Sequence, residues 1–411
     1  MMILTCRNQY RSEKLLVNQN QLDYIEQVVK FYQKITNYQP TPQISLHDMA
    51  NSIGVKNIFV KDESSRLGLD SFKVLGSLYA VANIIAEYLG EDLSQLDEQE
   101  LQSRKVKERV GHLTFVTATD GNHGKGLAYA ANFFGHNAVV YLPKGSDNDR
   151  VKAVEQAGGK AYVTEANYDD TVIFASQKAQ EEGWILVQDT AFDSYTKIPG
   201  WIMEGYSMIA KEIVDYFNAQ ESSQFPTHLI IQAGVGSLAG GVLDYLVNRL
   251  GEQIPNIIVV EPENAACMLN SALEEGGTAK RIFGDLDTIM TGLSCGAPNP
   301  LGWKGIKDAT NTFISVPDWV AARGLRILHN PHGRDPIVQA GFSGSPGIGL
   351  LSLFEFDHFT GLKDWLEIDE ESVVLTINTE SVTDHGNYKS VMWDGHPCTP
   401  VNGDFDWKAL L

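Results

Sequence analysis

LTFVTATDGNHGKGLAYAANFFGHNAVVYL, residues 113–142, is the stretch on which the reading of the fold turns. It opens on a short apolar run at 113–117 and passes through a loop of small and polar residues. Helical spacing follows over 124–135, and a second apolar run closes it at 138–142. Neither run alternates strictly, which suits strands buried on both faces of a parallel sheet. Strand, loop, helix and strand make one unit of an open α/β sheet, where ligands gather beyond the carboxyl ends of the strands.

The same alternation extends in both directions. Strand-like runs lie at 57–61, 160–164, 184–188, 228–232, 256–260 and 373–377, and helical spacing covers 72–89, 148–157, 169–182, 199–218, 237–250 and 318–329. The charged, nearly aromatic-free stretch 91–111 reads as an exposed helical excursion or linker, placed to act as a hinge between domains. With 411 residues the chain has room for two domains. The expected division is a large domain of residues 1–86 plus 200–411 and a smaller inserted α/β domain of residues 87–199.

Charge narrows the function. Lys and Arg total 32 against 52 Asp and Glu, a net charge of −20. So acidic a chain is a poor partner for nucleic acid or an anionic membrane surface, both polyanions. The weakly polar stretch 229–243 is too short and glycine-rich for a membrane span, and no secretory leader is visible at the start. The four cysteines, Cys6, Cys267, Cys295 and Cys398, show no C-x-x-C pair. That argues against a zinc site and fits thiols, Cys267 and Cys295 included, in a reducing cytoplasm. A cytoplasmic protein with no metal is the expectation.

Three segments could perform chemistry. In Ser71-Phe72-Lys73 a lysine stands at the apolar start of a helix. It is either a surface lysine with a packed stem or an amine in a partly dry pocket, able to attack an aldehyde. Thr119-Asp120-Gly121-Asn122-His123 links a strand to a helix, where outward N–H groups make an anion site. Asp120 there is either a helix cap worth about 1 kcal/mol or a carboxylate that moves a proton. His123 reads first as a structural histidine. Gln232-Ala233-Gly234-Val235-Gly236-Ser237-Leu238 follows a strand and can point several N–H groups at one phosphate. With Glu261 after the next strand, it also admits a nicotinamide dinucleotide, although the spacing G-x-G-x-x-x-G departs from that fingerprint. Gln188-Asp189-Thr190 and Asn378-Thr379-Glu380 stand at strand ends and read as turns or as weaker site candidates.

In this order the segments resemble the fold-type II pyridoxal-phosphate enzymes, the group of serine and threonine dehydratases and tryptophan synthase β. Val60-Lys-Asp-Glu63, Arg66-x-Gly68, Ser71-Phe-Lys73, Thr119-Asp-Gly-Asn-His-Gly124, Asn167-Tyr-Asp-Asp170, Gln188-Asp-Thr190, Thr196-Lys-Ile-Pro199 and Asn299-Pro-Leu-Gly-Trp303 together are similar to the diaminopropionate ammonia-lyases. The resemblance spans about residues 38–395.

It implies two open twisted α/β domains with pyridoxal phosphate in the cleft between them, in a homodimer acting on a small amino acid. Lys73 would hold the cofactor as a Schiff base, with Phe72 against the ring. Backbone N–H groups of Gly234, Val235, Gly236, Ser237 and Leu238 would hold the phosphate. Asn122 would bond the ring hydroxyl, and Asn378 or Thr379 would face the pyridine nitrogen. Thr119, Asp120, Gly121, Asn122 and His123 would hold the substrate carboxylate. Lys73 and Asp120 would be opposed bases for the two hands of 2,3-diaminopropionate. Asp189, Asp120 or Lys73 would protonate the leaving amine, giving pyruvate and two ammonia by way of aminoacrylate. Phe342 stands where the family pattern has an acid, so another β-substituted amino acid such as serine or threonine remains the alternative, and a nicotinamide oxidoreductase the more remote one.

Overall fold

The computed structural model describes residues 2–15, 17–119, 121–192, 194–220, 224–400 and 406–410. Contacts divide the chain into two compact units, Met1–Asn18, Pro40–Ser65 and Ile209–Leu411 in the larger, Gln19–Gln39 and Arg66–Met208 in the smaller. Numbered along the chain, the strands are β1 Met2–Arg7, β2 Gln43–Ser45, β3 Asn57–Asp62, β4 Thr114–Ala118, β5 Asn137–Leu142, β6 Lys160–Val163, β7 Ile185–Leu186, β8 His228–Gln232, β9 Asn256–Pro262, β10 Thr312–Val316, β11 Val373–Asn378 and β12 Asp406–Ala409.

The larger unit holds an eight-stranded sheet in the order β12-β1-β10-β9-β8-β11-β3-β2. Strands β10, β9, β8, β11 and β3 are mutually parallel. β1 and β2 join antiparallel, to β10 and β3. All five residues of β8, His-Leu-Ile-Ile-Gln, are buried, as a strand covered on both faces requires. Parallel register brings the carboxyl ends to one side: Asn378 lies opposite Asp62, and Gln232 opposite Val260, next to Glu261. The core packs Trp319, Val320 and Leu325 of the helix Asp318–His329 with Ile314 and Val316 of β10.

The smaller unit holds a four-stranded parallel sheet, β6-β5-β4-β7. Its helix Lys73–Leu89 is apolar on nearly every face and correspondingly buried. The boundary differs from the expected one. Residues 19–39, 66–86 and 200–208, expected in the larger domain, pack in the smaller unit. Aromatic contacts account for this: Phe31 meets Tyr79 at 5.4 Å, Tyr32 donates a hydrogen bond to Leu75 O, and Phe72 meets Tyr206 at 4.8 Å. The stretch 91–111 is helical, as expected, but lies inside the smaller unit rather than at its border, with Leu101 and Val106 buried.

β7 is shorter than its expected five residues. The Gln188 carboxamide occupies the next ladder position, accepting from Ala118 N–H at 3.3 Å and donating to Ala118 O at 2.9 Å. Strands β1, β2, β10 and β12 had no counterpart in the sequence reading. Among the described residues, no helix is long and apolar enough to cross a membrane, and no group of His, Cys, Asp or Glu is placed to hold a metal ion.

Candidate active site

In the smaller unit, Lys73 is the first residue of its helix, and its N–H donates to Ser71 Oγ at 3.3 Å. The edge of the Phe72 ring contacts Tyr206, leaving Lys73 Nζ 5.4 Å from the Phe72 centroid. Nζ lies 2.5 Å from Asp189 Oδ2, across 116 residues of sequence. Both side chains are largely buried, at 21% and 11% exposure. Burial works against the Asp189 charge, but the Lys73 cation and its hydrogen bond, together with His123, outweigh it and hold the carboxyl at about 2. Asp189 is therefore ionised at neutral pH.

His123 sits in the first turn of the helix Asn122–Phe133 and is almost fully buried. Its Nε2 donates to Val187 O at 2.8 Å, so Nδ1 is left as a bare, buried acceptor without a partner. Burial holds the imidazole below the ordinary histidine value, against the pull of nearby Asp189. A neutral ring tying the helix start to the β7 side is what the structural reading of His123 expects. Thr119 Oγ1 accepts from Gly121 N–H at 3.1 Å and closes the loop after β4. Asp120 lies outside the described residues. The strand-end residue Gln188 is held by Thr117 Oγ1 at 2.9 Å and by Tyr195 Oη, which accepts from its backbone N–H at 2.9 Å.

Tyr206 is a residue the sequence reading missed. Its hydroxyl is fully buried, has no hydrogen-bond partner and lies within electrostatic reach of Lys73 and Asp189. Burial pushes that hydroxyl up, so it stays neutral. Nothing in an apolar helix interior such as 201–210 signals this role, because an aromatic there reads as core.

In the larger unit, the loop after β8 turns its carbonyls inward. Gly234 O accepts from Cys267 Sγ at 3.6 Å, Val235 O from Asn299 N–H at 2.7 Å and Gly236 O from Gly240 N–H at 2.7 Å. Asn299 Nδ2 also donates to Ser237 Oγ at 2.8 Å. Gly236 has φ +90°, a conformation that favours glycine. It caps the helix Ser237–Leu250 and, being glycine, offers no side-chain cap of its own. Val235, Gly236, Ser237 and Leu238 thus open a long helix with their carbonyls already engaged, an arrangement that suits a phosphate.

At the end of β11, Asn378 is fully buried. Its Nδ2 donates to Asp62 Oδ1 at 2.8 Å, and its Oδ1 has no partner. Thr379 Oγ1 accepts from Gln232 Nε2 at 3.3 Å, and the same amide donates to Ser343 O and Ile377 O, both at 2.8 Å. Gln232 thereby ties the glycine loop to Ile377 and Thr379 at the end of β11. Phe342 is buried in the hydrophobic core. The neighbouring backbone receives a carboxylate from elsewhere, since Ser343 N–H donates to Glu380 Oε1 at 3.0 Å. Glu261, the acid that a dinucleotide would need for its ribose, is fully buried and accepts from Met268 and Leu269 N–H at 2.7 and 2.8 Å. Facing a helix start, it has no exposed oxygen for a sugar, and the nicotinamide reading fails on it. No disulfide joins Cys267 to Cys295.

A partly buried lysine amine against a fixed carboxylate, and a helix start with its carbonyls turned away, fit pyridoxal phosphate, which presents an aldehyde and a phosphate. Residues 35–337 match the family described as pyridoxal-phosphate dependent enzyme. The chain is 46% identical over 374 residues to diaminopropionate ammonia-lyase of Escherichia coli strain K12, covering 90% of this chain and 92% of that one. The crystal structure of the holo form of Escherichia coli diaminopropionate ammonia lyase matches with a TM-score of 0.88 at 42% identity, over 96% of this chain and 98% of that one. The same enzyme in complex with an aminoacrylate-PLP azomethine reaction intermediate matches with a TM-score of 0.85 at 43% identity, over 96% and 98% of the two chains. With its lysine, its glycine loop and this breadth of similarity, the chain belongs to the pyridoxal-phosphate-dependent enzymes and, among them, to the diaminopropionate ammonia-lyases.

Proposed function

We propose that the protein removes ammonia from 2,3-diaminopropionate of either hand, yielding pyruvate and two ammonia by way of aminoacrylate. The observation that supports this best is the Lys73–Asp189 pair, an amine at the head of a buried helix with a carboxylate 2.5 Å away whose pKa is depressed by the Lys73 cation. Bound pyridoxal phosphate supplies an aldehyde for amines and a ring that draws electrons away from the substrate α-carbon. Lys73 Nζ is the amine that takes the aldehyde at rest, and once released it takes the α-proton of one enantiomer. Asp120, on the loop after β4, takes that proton from the mirror enantiomer, because a base must reach its proton within hydrogen-bond distance.

Asp120 or Lys73 delivers the proton that the leaving β-amine needs, and the ionised Asp189 binds the β-ammonium. A carboxylate such as Asp189 also favours a β-ammonium over the neutral hydroxyl of serine, which ranks diaminopropionate above the dehydratase substrates. In the same reading the N–H groups of Gly234, Val235, Gly236, Ser237 and Leu238 hold the phosphate, Phe72 flanks the ring and Asn122 bonds its hydroxyl. Thr119, Asp120, Gly121, Asn122 and His123 hold the substrate carboxylate. Asn378 or Thr379 meets the pyridine nitrogen, and an uncharged partner there favours elimination over transamination. The scattered cysteines support a cytoplasmic setting, and the family resemblance supports a homodimer.

The test is pyruvate release from D- and L-diaminopropionate, serine and threonine by the purified protein, with its visible spectrum recorded before and after each addition. Both diaminopropionates are expected to outpace the hydroxy amino acids. Faster release from serine or threonine, or no pyruvate from either diaminopropionate, would sink the reading.

A further inference from the structure

Glu261 stands at the carboxyl end of β9 with no exposed surface. Its Oε1 accepts from Met268 N–H at 2.7 Å and its Oε2 from Leu269 N–H at 2.8 Å, so one side chain satisfies two donors at the start of the helix Cys267–Leu273. That helix start backs the glycine loop at two points. Cys267 Sγ donates to Gly234 O at 3.6 Å. The Met268 methyl lies 2.6 Å from where Gly236 would place a Cβ, and Ile306 Cδ1 lies 2.7 Å from the same point. The loop therefore packs directly against Cys267, Met268 and Ile306.

We propose that Glu261 is a positioning residue for the cofactor phosphate, acting through Cys267 and Met268 on residues 234–238. This rests on the reading that those residues hold the phosphate. A carboxyl group buried at this depth is costly unless both oxygens are bonded; burial pushes this one up to about 8 despite its two N–H donors, and both bonds go to one short helix. Loss of Glu261 leaves two buried N–H groups without acceptors, and the helix start must shift to satisfy them. Cys267 and Met268 move with it, and the N–H groups of the loop lose their common aim. Lys73 belongs to the other unit and to none of these contacts, so its amine keeps its chemistry toward an aldehyde.

The experiment is a titration of the cofactor-free full chain with pyridoxal phosphate and, separately, with pyridoxal, which lacks the phosphate. Visible absorbance reports binding, in wild type and in the Glu261→Gln and Glu261→Ala variants. In both variants the Kd for pyridoxal phosphate is expected to rise at least about tenfold while that for pyridoxal stays within about twofold. Glutamine keeps the shape and most of the volume, so it yields an answer even where alanine fails to fold. Unchanged affinity for both ligands in the glutamine variant, or equal weakening of both, would overturn the proposal, the latter by reducing Glu261 to a general structural residue. A wild-type protein that binds neither ligand would instead overturn the cofactor reading itself.

Discussion

At the scale of single residues, the site depends on a charge arrangement that the chain assembles over long sequence distances. Lys73 was legible because its signal is local: an aromatic residue, a lysine and an apolar helix start in succession. Asp189 was legible only as a strand end, since its partner lies 116 residues away and no spacing rule connects them. Glu261 misled for the same reason, because the two N–H groups that occupy it cannot be read from a strand followed by an acid.

Lys73→Ala should abolish the visible absorbance of the lysine-linked cofactor; retained absorbance would mean another amine forms the link. Asp120→Asn should impair turnover of one diaminopropionate enantiomer at least about tenfold more than the other, and equal losses would argue against opposed bases. Asp189 has a depressed folded-state pKa, about 2, so its contribution to stability is fully present above the ordinary carboxylate pKa and lost as pH falls through about 2. Between about pH 6 and about pH 3, wild type should lose about 1 kcal/mol more stability in urea unfolding than Asp189→Asn. Parallel pH profiles for the two proteins would contradict the ionic pair.

At the scale of elements, most parallel strands and most long helices were legible because buried apolar runs and helical spacing are local patterns, although the buried strand β10 and the helix Gln19–Gln33 were not found. The helices Ser237–Leu250 and Asp318–His329 match their expected spans at both ends. Edge strands were not, for a physical reason. β2 has three residues and β12 has four, none of them buried, so neither presents an apolar run to find. The length of β7 depended on the Gln188 side chain replacing backbone in the ladder, a tertiary event.

The approach of the helix Asn122–Phe133 to the head of the Lys73 helix invites a test. A Cβ on Gly126 would lie 3.1 Å from Val74 N and 3.2 Å from Lys73 C, both backbone atoms that cannot swing aside. Gly126→Ala is therefore expected to cost about 1–2 kcal/mol through overpacking. It should also shift the visible cofactor band, because the atoms displaced belong to Lys73 itself. A variant with wild-type stability and spectrum would show that the helices part without disturbing the lysine.

At the scale of the whole molecule, the chain is strongly acidic, with Lys73 in one unit and residues 234–238, proposed to hold the phosphate, in the other. Composition made the acidity and its exclusions legible. The division into units was less so, because residues 19–39 join the smaller unit by packing Phe31 and Tyr32 on the helix Lys73–Leu89, contacts that no linker signal in the sequence announces.

A ligand that binds only the folded chain stabilises it by mass action, about 2.7 kcal/mol at a hundred times its Kd. Pyridoxal phosphate should therefore raise the Tm of the cofactor-free protein in proportion to the logarithm of its concentration. Lys73→Ala removes the covalent attachment but leaves residues 234–238 in place. Its Tm should still rise with pyridoxal phosphate, by less than in wild type and only at higher concentration. Pyridoxal, lacking the group those residues are proposed to hold, should leave the Tm of Lys73→Ala unchanged. Scanning calorimetry of both proteins with both ligands makes the comparison. Equal shifts of Lys73→Ala by the two ligands would show that the glycine loop recognises something other than phosphate.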